Sequence, residues 1–187
     1  SPRRAELMRL LGLKFEIMPA DVDERYLRHE AAGAHAQRLA REKALVISER
    51  EPDALVIGSD TVVVIDRSVL GKPKSEDEAV EMLMRLQGRV HRVATGIAIA
   101  RADECIAQTE IVRVKFHGFD ESAARAYVAT GEPMDKAGAY GIQGFGAALV
   151  ESVNGDYFAV MGLPLQRMVR MFNHFGWYYN FNGIGRL

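Results

Sequence analysis

Residues 54–65 read ALVIGSDTVVVI. A continuous apolar run of this kind is a buried strand, and such a strand needs other elements packed over it before the chain can fold. Asp60 interrupts the run. Flanked by Val56, Ile57, Val62, Val63 and Val64, its carboxylate is costly to bury unpaired, so it has to face a cleft, a cation or strong donors. Hydrogen bonds to the backbone of a bulge at Gly58 would satisfy it. So would a role as general base or metal ligand at a bend in the strand.

The rest of the pattern supplies the covering layers. Ser1 at an N-cap and Pro2 at the first helical position open a helix that carries Leu7, Leu10 and Leu11 as far as Gly12. A helix standing first predicts a further strand ahead of it that this sequence does not include. Residues 13–18 alternate as a short strand ended by Pro19, and Asp21, Asp23 and Glu24 then fall in a loop. The spacing predicts a helix over residues 34–49, with Ala36, Leu39, Ala40, Lys43, Ala44 and Ile47 on one broad face.

Ser75-Glu76-Asp77-Glu78 forms a capping box ahead of Ala79, Met82, Leu83 and Leu86, and Gly88 closes that helix. Residues 89–100 and 109–119 read as strands, the second with Val112, Val114 and Phe116 opposite Arg113, Lys115 and His117. Asp120 caps a helix over 121–130. The glycines from 138 to 146 read as bends in a curved sheet, Asn154-Gly155 as a hairpin turn, and Pro164 as the start of a last helix ending near Gly176. The aromatic tail from Trp177 to Phe181 shows no period. With no repeat or linker, residues 1–187 read as one mixed α/β domain.

Charge and cysteine usage narrow the function. Lys plus Arg total 24 against 25 Asp plus Glu, a net charge of −1, so no global field holds a polyanion and extended nucleic acid is not an expected partner. Any anion site must be local. Cys105 is the only cysteine, which excludes an internal disulfide or a CxxC site and fits a reducing, cytoplasmic setting. No stretch reaches 18 apolar residues and no signal h-region opens the chain, so neither secretion nor a membrane partner is expected. The five histidines lack metal spacing, and Ser48, Ser59 and Ser152 lack a GxSxG elbow, which argues against zinc chemistry and acyl transfer.

The cations then draw notice. Lys43, on an apolar helix face, either snorkels to the edge or enters the same cleft as Asp60 as an anion ligand. Lys72 stands between Gly71 and Pro73 at a strand exit, where loops carry function. Arg3 and Arg4 oppose the dipole of the helix they begin, a conflict that a bound phosphate would resolve. The glycine-rich run is not a dinucleotide fingerprint, because no strand precedes it and no helix follows. Within it Gln143 offers both a donor and an acceptor, which suits the edge of an imide base. Asp60 and Glu24, with substrate phosphates, make the sparse oxygen set that holds Mg2+.

The blocks SPRR, DVDE, AREKA, GSDTVV, LGKP, GRVHRVATG, ATGEPMDKAGAYGIQGFGA and NGDYFAVMGLPL occur in that order. They resemble the Maf family of nucleoside triphosphate pyrophosphatases, from Ser1 to about Val169. The resemblance implies an elongated central mixed sheet flanked by helices, two lobes around a cleft, and a strand with a short Ser/Ala/Gly segment ahead of SPRR. It implies hydrolysis between the α and β phosphates of a nucleotide with a divalent metal, magnesium or manganese, and it makes a homodimer plausible. Asp60 matches the proton acceptor and Arg4, Thr61 and Gln143 the substrate-selecting set. Glu24, Lys43 and Lys72 match polar residues lining the cleft, and Ser1 and Arg3 belong to the phosphate-binding motif. The AGAYGIQG wording resembles the dTTP and UTP branch rather than the 7-methyl-GTP branch, in which an acidic residue typically replaces Gln143. A nucleotide-binding regulator of septum formation is the competing reading.

Overall fold

The computed structural model describes residues 1–187. Its main elements in chain order are α1 (Pro2–Leu10), α2 (Ala32–Ser48), β1 (Val56–Ile65), β2 (Ser68–Leu70), α3 (Glu76–Leu86), β3 (Val90–Arg101), β4 (Glu104–Phe116), α4 (Glu121–Val128), β5 (Val150–Asn154), α5 (Tyr157–Met161), α6 (Leu165–Phe172), β6 (Trp177–Tyr179) and β7 (Ile184–Arg186). Strands β1 to β5 form one sheet in the order β2-β1-β3-β4-β5, while β6 and β7 pair separately. No helix is long and apolar enough to cross a membrane.

The expected α/β class holds, and the sheet within it is antiparallel rather than mixed. The connections explain why. β1 turns back into β2 through Asp66 and Arg67, both at positive φ, and places Val63 opposite Leu70. β3 and β4 are joined by Ala102 and Asp103 alone, too few residues for a parallel crossover. β3 follows a helix, yet it lies beside β1 and not beside β2, so that helix creates no parallel pair. β5 adds to β4 with Val114 opposite Val153.

The chain divides into two compact units. The first comprises Ser1–Asp60, Thr95–Glu110 and Gly162–Leu187. Here α2 buries Ala36, Leu39, Ala40, Ala44 and Ile47, the face predicted from spacing. Ala40 and Ala44 pack with Ala98 and Ala100, with Val56 and Cys105 at the margin. Small side chains are needed because helix and strands nearly touch. A Cβ on Gly58 would lie 2.2 Å from the Ala40 carbonyl oxygen, and one on Gly96 would lie 2.1 Å from that of Ala36.

The second unit comprises Thr61–Ala94 and Ile111–Met161. α3 buries Ala79, Val80, Met82, Leu83 and Leu86. Half of its expected capping box forms, with Ser75 Oγ accepting from the Glu78 amide at 3.2 Å, while Glu78 Oε2 reaches one residue further back and accepts from the Lys74 amide at 2.7 Å. Phe116, His91 and Tyr140 stack edge to face in the core. His91 Nε2 lies 2.8 Å from the Tyr140 hydroxyl, and burial pulls this imidazole down to about 4, so it is neutral.

Four local expectations are corrected. Residues 13–18 join no sheet, and Ile17 and Met18 are exposed, because a short alternating segment needs a partner edge to become a strand. The expected hairpin at Asn154-Gly155 stops after β5. Asp156 Oδ1 accepts from the Phe158 amide at 2.8 Å and the Ala159 amide at 3.3 Å, and this cap starts α5 in place of a returning strand. The glycine-rich stretch forms short 3-10 turns at Glu132–Asp135, Ala137–Ala139 and Gly144–Leu149 rather than sheet bends. The tail forms the β6-β7 ribbon, fastened where Tyr179 Oη donates to the Leu11 carbonyl at 2.8 Å.

Candidate active site

In the first unit, α1, α2, β1 and the segment ahead of α2 bring charges of both signs together. Lys43 turns inward from α2. Its Nζ donates to Asp60 Oδ1 at 2.8 Å and pairs with Glu24 Oε1 at 2.6 Å. The Lys43 and Asp60 side chains are 18% and 14% exposed, so water screens their contact only partly, whereas Glu24 at 64% is accessible. A cation, not the backbone of a bulge, therefore satisfies Asp60, and Lys43 does not snorkel away.

Arg4 is seated from the opposite end of the sequence. Its Nε donates to the Gly162 carbonyl at 2.8 Å. The buried Ser59 hydroxyl lies 2.7 Å from the same carbonyl and 2.8 Å from that of Gly96, and with one proton it serves one of them at a time. Burial draws the Arg4 guanidinium below its ordinary value, Asp60 and Glu24 oppose this, and Arg3 reinforces it. Arg3 is half-buried in the same first turn of α1. Ser1 occupies the N-cap position with no side-chain capping bond, and its carbonyl accepts from the Ala5 amide at 3.2 Å.

The segment carrying Glu24 lacks regular structure and is anchored to α2 through Glu30. Glu30 Oε1 accepts from Arg38 Nε at 2.7 Å, and Oε2 accepts from Arg38 Nη2 at 2.9 Å and from the Leu27 amide at 3.1 Å. His35 Nδ1 lies 2.9 Å from Oε2, and Tyr26 stacks on the His35 ring at 3.5 Å between centroids. Burial, with the Asp60 and Glu30 charges, pushes the Tyr26 phenol up to about 12. The Arg38 hydrogen bonds hold Glu30 at about 2, against burial and with help from His35 and Leu27.

Because the folded value of Glu30 is depressed from the ordinary 4.5 to about 2, its stabilisation is full above pH 4.5 and is lost as pH falls through 2. Glu30→Gln is expected to cost about 2 kcal/mol at neutral pH and to flatten the pH dependence across that window. Thermal melts over the same range check this. A variant that melts with the parent at neutral pH would show that Glu30 does not anchor the segment.

Thr61, Lys72 and Gln143 belong to the second unit. Thr61 continues β1 directly after Asp60 and is half-buried, whereas Lys72 is exposed after β2. Gln143 is half-buried and extended, immediately ahead of the Gly144–Leu149 turn. No group of three or more His, Cys, Asp and Glu side chains is arranged to hold a metal ion. Asp60 and Glu24 are nevertheless two hard oxygen donors converging on one cationic centre.

Sequence reasoning missed Ser59, Glu30, Arg38 and Gly162. Ser59 had a signal, as a second polar group inside the apolar run. The other three had none, since their roles depend on partners distant in sequence or on a backbone carbonyl.

Fold and site together define an α/β protein whose two carboxylates share a lysine beside a seated arginine, chemistry suited to a phosphorylated ligand. Residues 1–175 match the family described as Maf-like protein, and the chain belongs to that family. It is similar to the dTTP/UTP pyrophosphatase of Symbiobacterium thermophilum, 49% identical over 177 residues that cover 95% of this chain and 91% of that protein. The enzymes of the same name from Geobacillus sp. (strain WCH70) and Aquifex aeolicus are 45% and 42% identical, covering 95% and 91% of this chain and 95% and 90% of their own lengths.

Proposed function

We propose that this protein is a nucleoside triphosphate pyrophosphatase that hydrolyses dTTP and UTP to the monophosphate and pyrophosphate. The observation that carries the reading is the Lys43 ammonium shared by Asp60 and Glu24 within the unit that holds Arg4. The names of the relatives agree with it.

In this reading a water oxygen bonds to the α-phosphorus, the bond to the bridging oxygen of the leaving group breaks, and pyrophosphate departs with its electron pair. Asp60 accepts the water proton, its carboxylate held by the Lys43 bond to Oδ1. Arg3, Arg4 and the helix start at Ser1 bind phosphate oxygens, and Lys72 contributes further positive charge. Asp60 and Glu24 fit a hard divalent cation, Mg2+ or Mn2+, as protein ligands beside triphosphate oxygens. When bound, that ion neutralises phosphate charge and orients the leaving group. Thr61 and Gln143 select the base: the Gln143 amide donates to O4 and accepts from N3–H of thymine or uracil. The lone Cys105 supports a reducing, cytoplasmic setting for this chemistry.

Pyrophosphate release from dTTP, UTP and 7-methyl-GTP with Mg2+ tests the proposal. The two pyrimidine nucleotides are expected to react at least about tenfold faster in kcat/KM. A faster guanine nucleotide, or release of single phosphate in place of pyrophosphate, overturns it.

A further inference from the structure

Gln143 lies within a loop that is fastened on both sides by one pair of side chains. Glu132 Oε1 accepts from the Gly146 amide at 2.9 Å and from the Tyr127 hydroxyl at 2.8 Å, and its Oε2 accepts from the Phe145 amide at 2.8 Å. The Tyr127 oxygen in turn accepts from the Gly141 amide at 3.1 Å. Gly141 is thus tied two residues before Gln143, and Phe145 and Gly146 are tied two and three residues after it. The three Glu132 contacts and the Tyr127 contact all belong to the second unit.

The fit leaves little freedom. Gly144 takes φ +72, and a Cβ there would lie 2.4 Å from Glu132 Oε2. A Cβ on Gly146 would lie 2.6 Å from the Tyr127 oxygen and 2.2 Å from the Gly141 carbonyl. Tyr127 itself is 6% exposed, so it is an interior post rather than a surface group. The bonds to Glu132 outweigh the opposing effect of its burial and hold the carboxyl below its ordinary value. It therefore stays an acceptor for all three donors at neutral pH.

Resting on the reading of Gln143 as the base selector, we infer that Glu132 and Tyr127 are positioning residues that fix the Gln143 amide and so set nucleobase selectivity. Neither residue touches the phosphates in this scheme. Their effect reaches the reaction only through where the loop holds one amide. A base reader displaced by a fraction of an ångström loses its pairing with an imide edge but leaves phosphate chemistry alone.

The test is the ratio of kcat/KM for dTTP to that for dCTP, whose base presents the reverse donor and acceptor order. Loss of folded protein lowers both values alike and leaves the ratio unmoved, so the ratio separates positioning from simple destabilisation. Glu132→Gln replaces one acceptor oxygen with a donor facing a backbone N–H. It is expected to lower the ratio about tenfold, with faster amide exchange over residues 141–146 and kcat/KM for dCTP changed less than about twofold. Tyr127→Phe, which removes only the hydroxyl, is expected to shift the ratio the same way by a smaller factor and serves if Glu132→Gln does not fold. Gln143→Ala is measured beside them. If it collapses the ratio while both clamp variants stay within about twofold of the parent, the clamp is overturned and the base reading stands. If Gln143→Ala leaves the ratio unchanged, the base reading fails and the clamp with it.

Discussion

Asp60→Asn is expected to lower kcat for dTTP by about a thousandfold, with little change in nucleotide binding. Asparagine keeps the size of the side chain and can still accept a hydrogen bond from Lys43, so the geometry around α2 survives while the proton acceptor is lost. Steady-state kinetics with a binding titration check the result, and turnover within about threefold of the parent would remove Asp60 from the mechanism. The Mg2+ dependence of the variant adds a second reading. An unchanged metal requirement assigns the carboxylate to the proton, whereas a marked rise in the Mg2+ needed for half-maximal rate assigns it to the cation.

Gly96→Ala is expected to destabilise the protein by about 3 kcal/mol and to lower its Tm by roughly 10 °C. The added Cβ would stand 2.1 Å from the Ala36 carbonyl oxygen and 2.6 Å from the Gln37 nitrogen. Both are main-chain atoms of α2, so no rotamer change relieves the clash and the helix must move away from β3. Lys43 rides on that helix, and the displacement carries its ammonium off Asp60. Activity is therefore expected to fall at temperatures where the variant is still folded. A Tm within about 2 °C of the parent would show that helix and sheet are not locked at this contact.

Much of this site could be read from the residue order because its members break a local rule. Asp60 inside an apolar strand and Lys43 on an apolar helix face each demanded a partner, and each is the other's. Arg3 and Arg4 at a helix start carried the same kind of conflict. The capped helices were legible for a related reason, since Ser75 and Asp120 act on amides three residues away. The glycine-rich segment and the Asn154-Gly155 turn were misread where two local signals competed. An Asn-Gly turn and an Asp helix cap share adjoining positions, and the geometry that favours the cap depends on what packs beyond it. The tail was illegible because its pairing is a short ribbon whose fastening, at the Leu11 carbonyl, lies far away in sequence.

The seat of Arg4 has a consequence for how the protein comes into being. The carbonyl that holds it belongs to Gly162, 158 positions later, and Ser59 waits for the same atom across 103 positions. Lys43, Asp60 and Glu24 all lie within the first third of the chain, whereas the Arg4 contact with Gly162 closes a loop of 158 positions. Contacts of such long separation are slow to form and are won late. Closing the Arg4–Gly162 contact is therefore expected to come later in folding than the Lys43 contacts, which span far fewer residues.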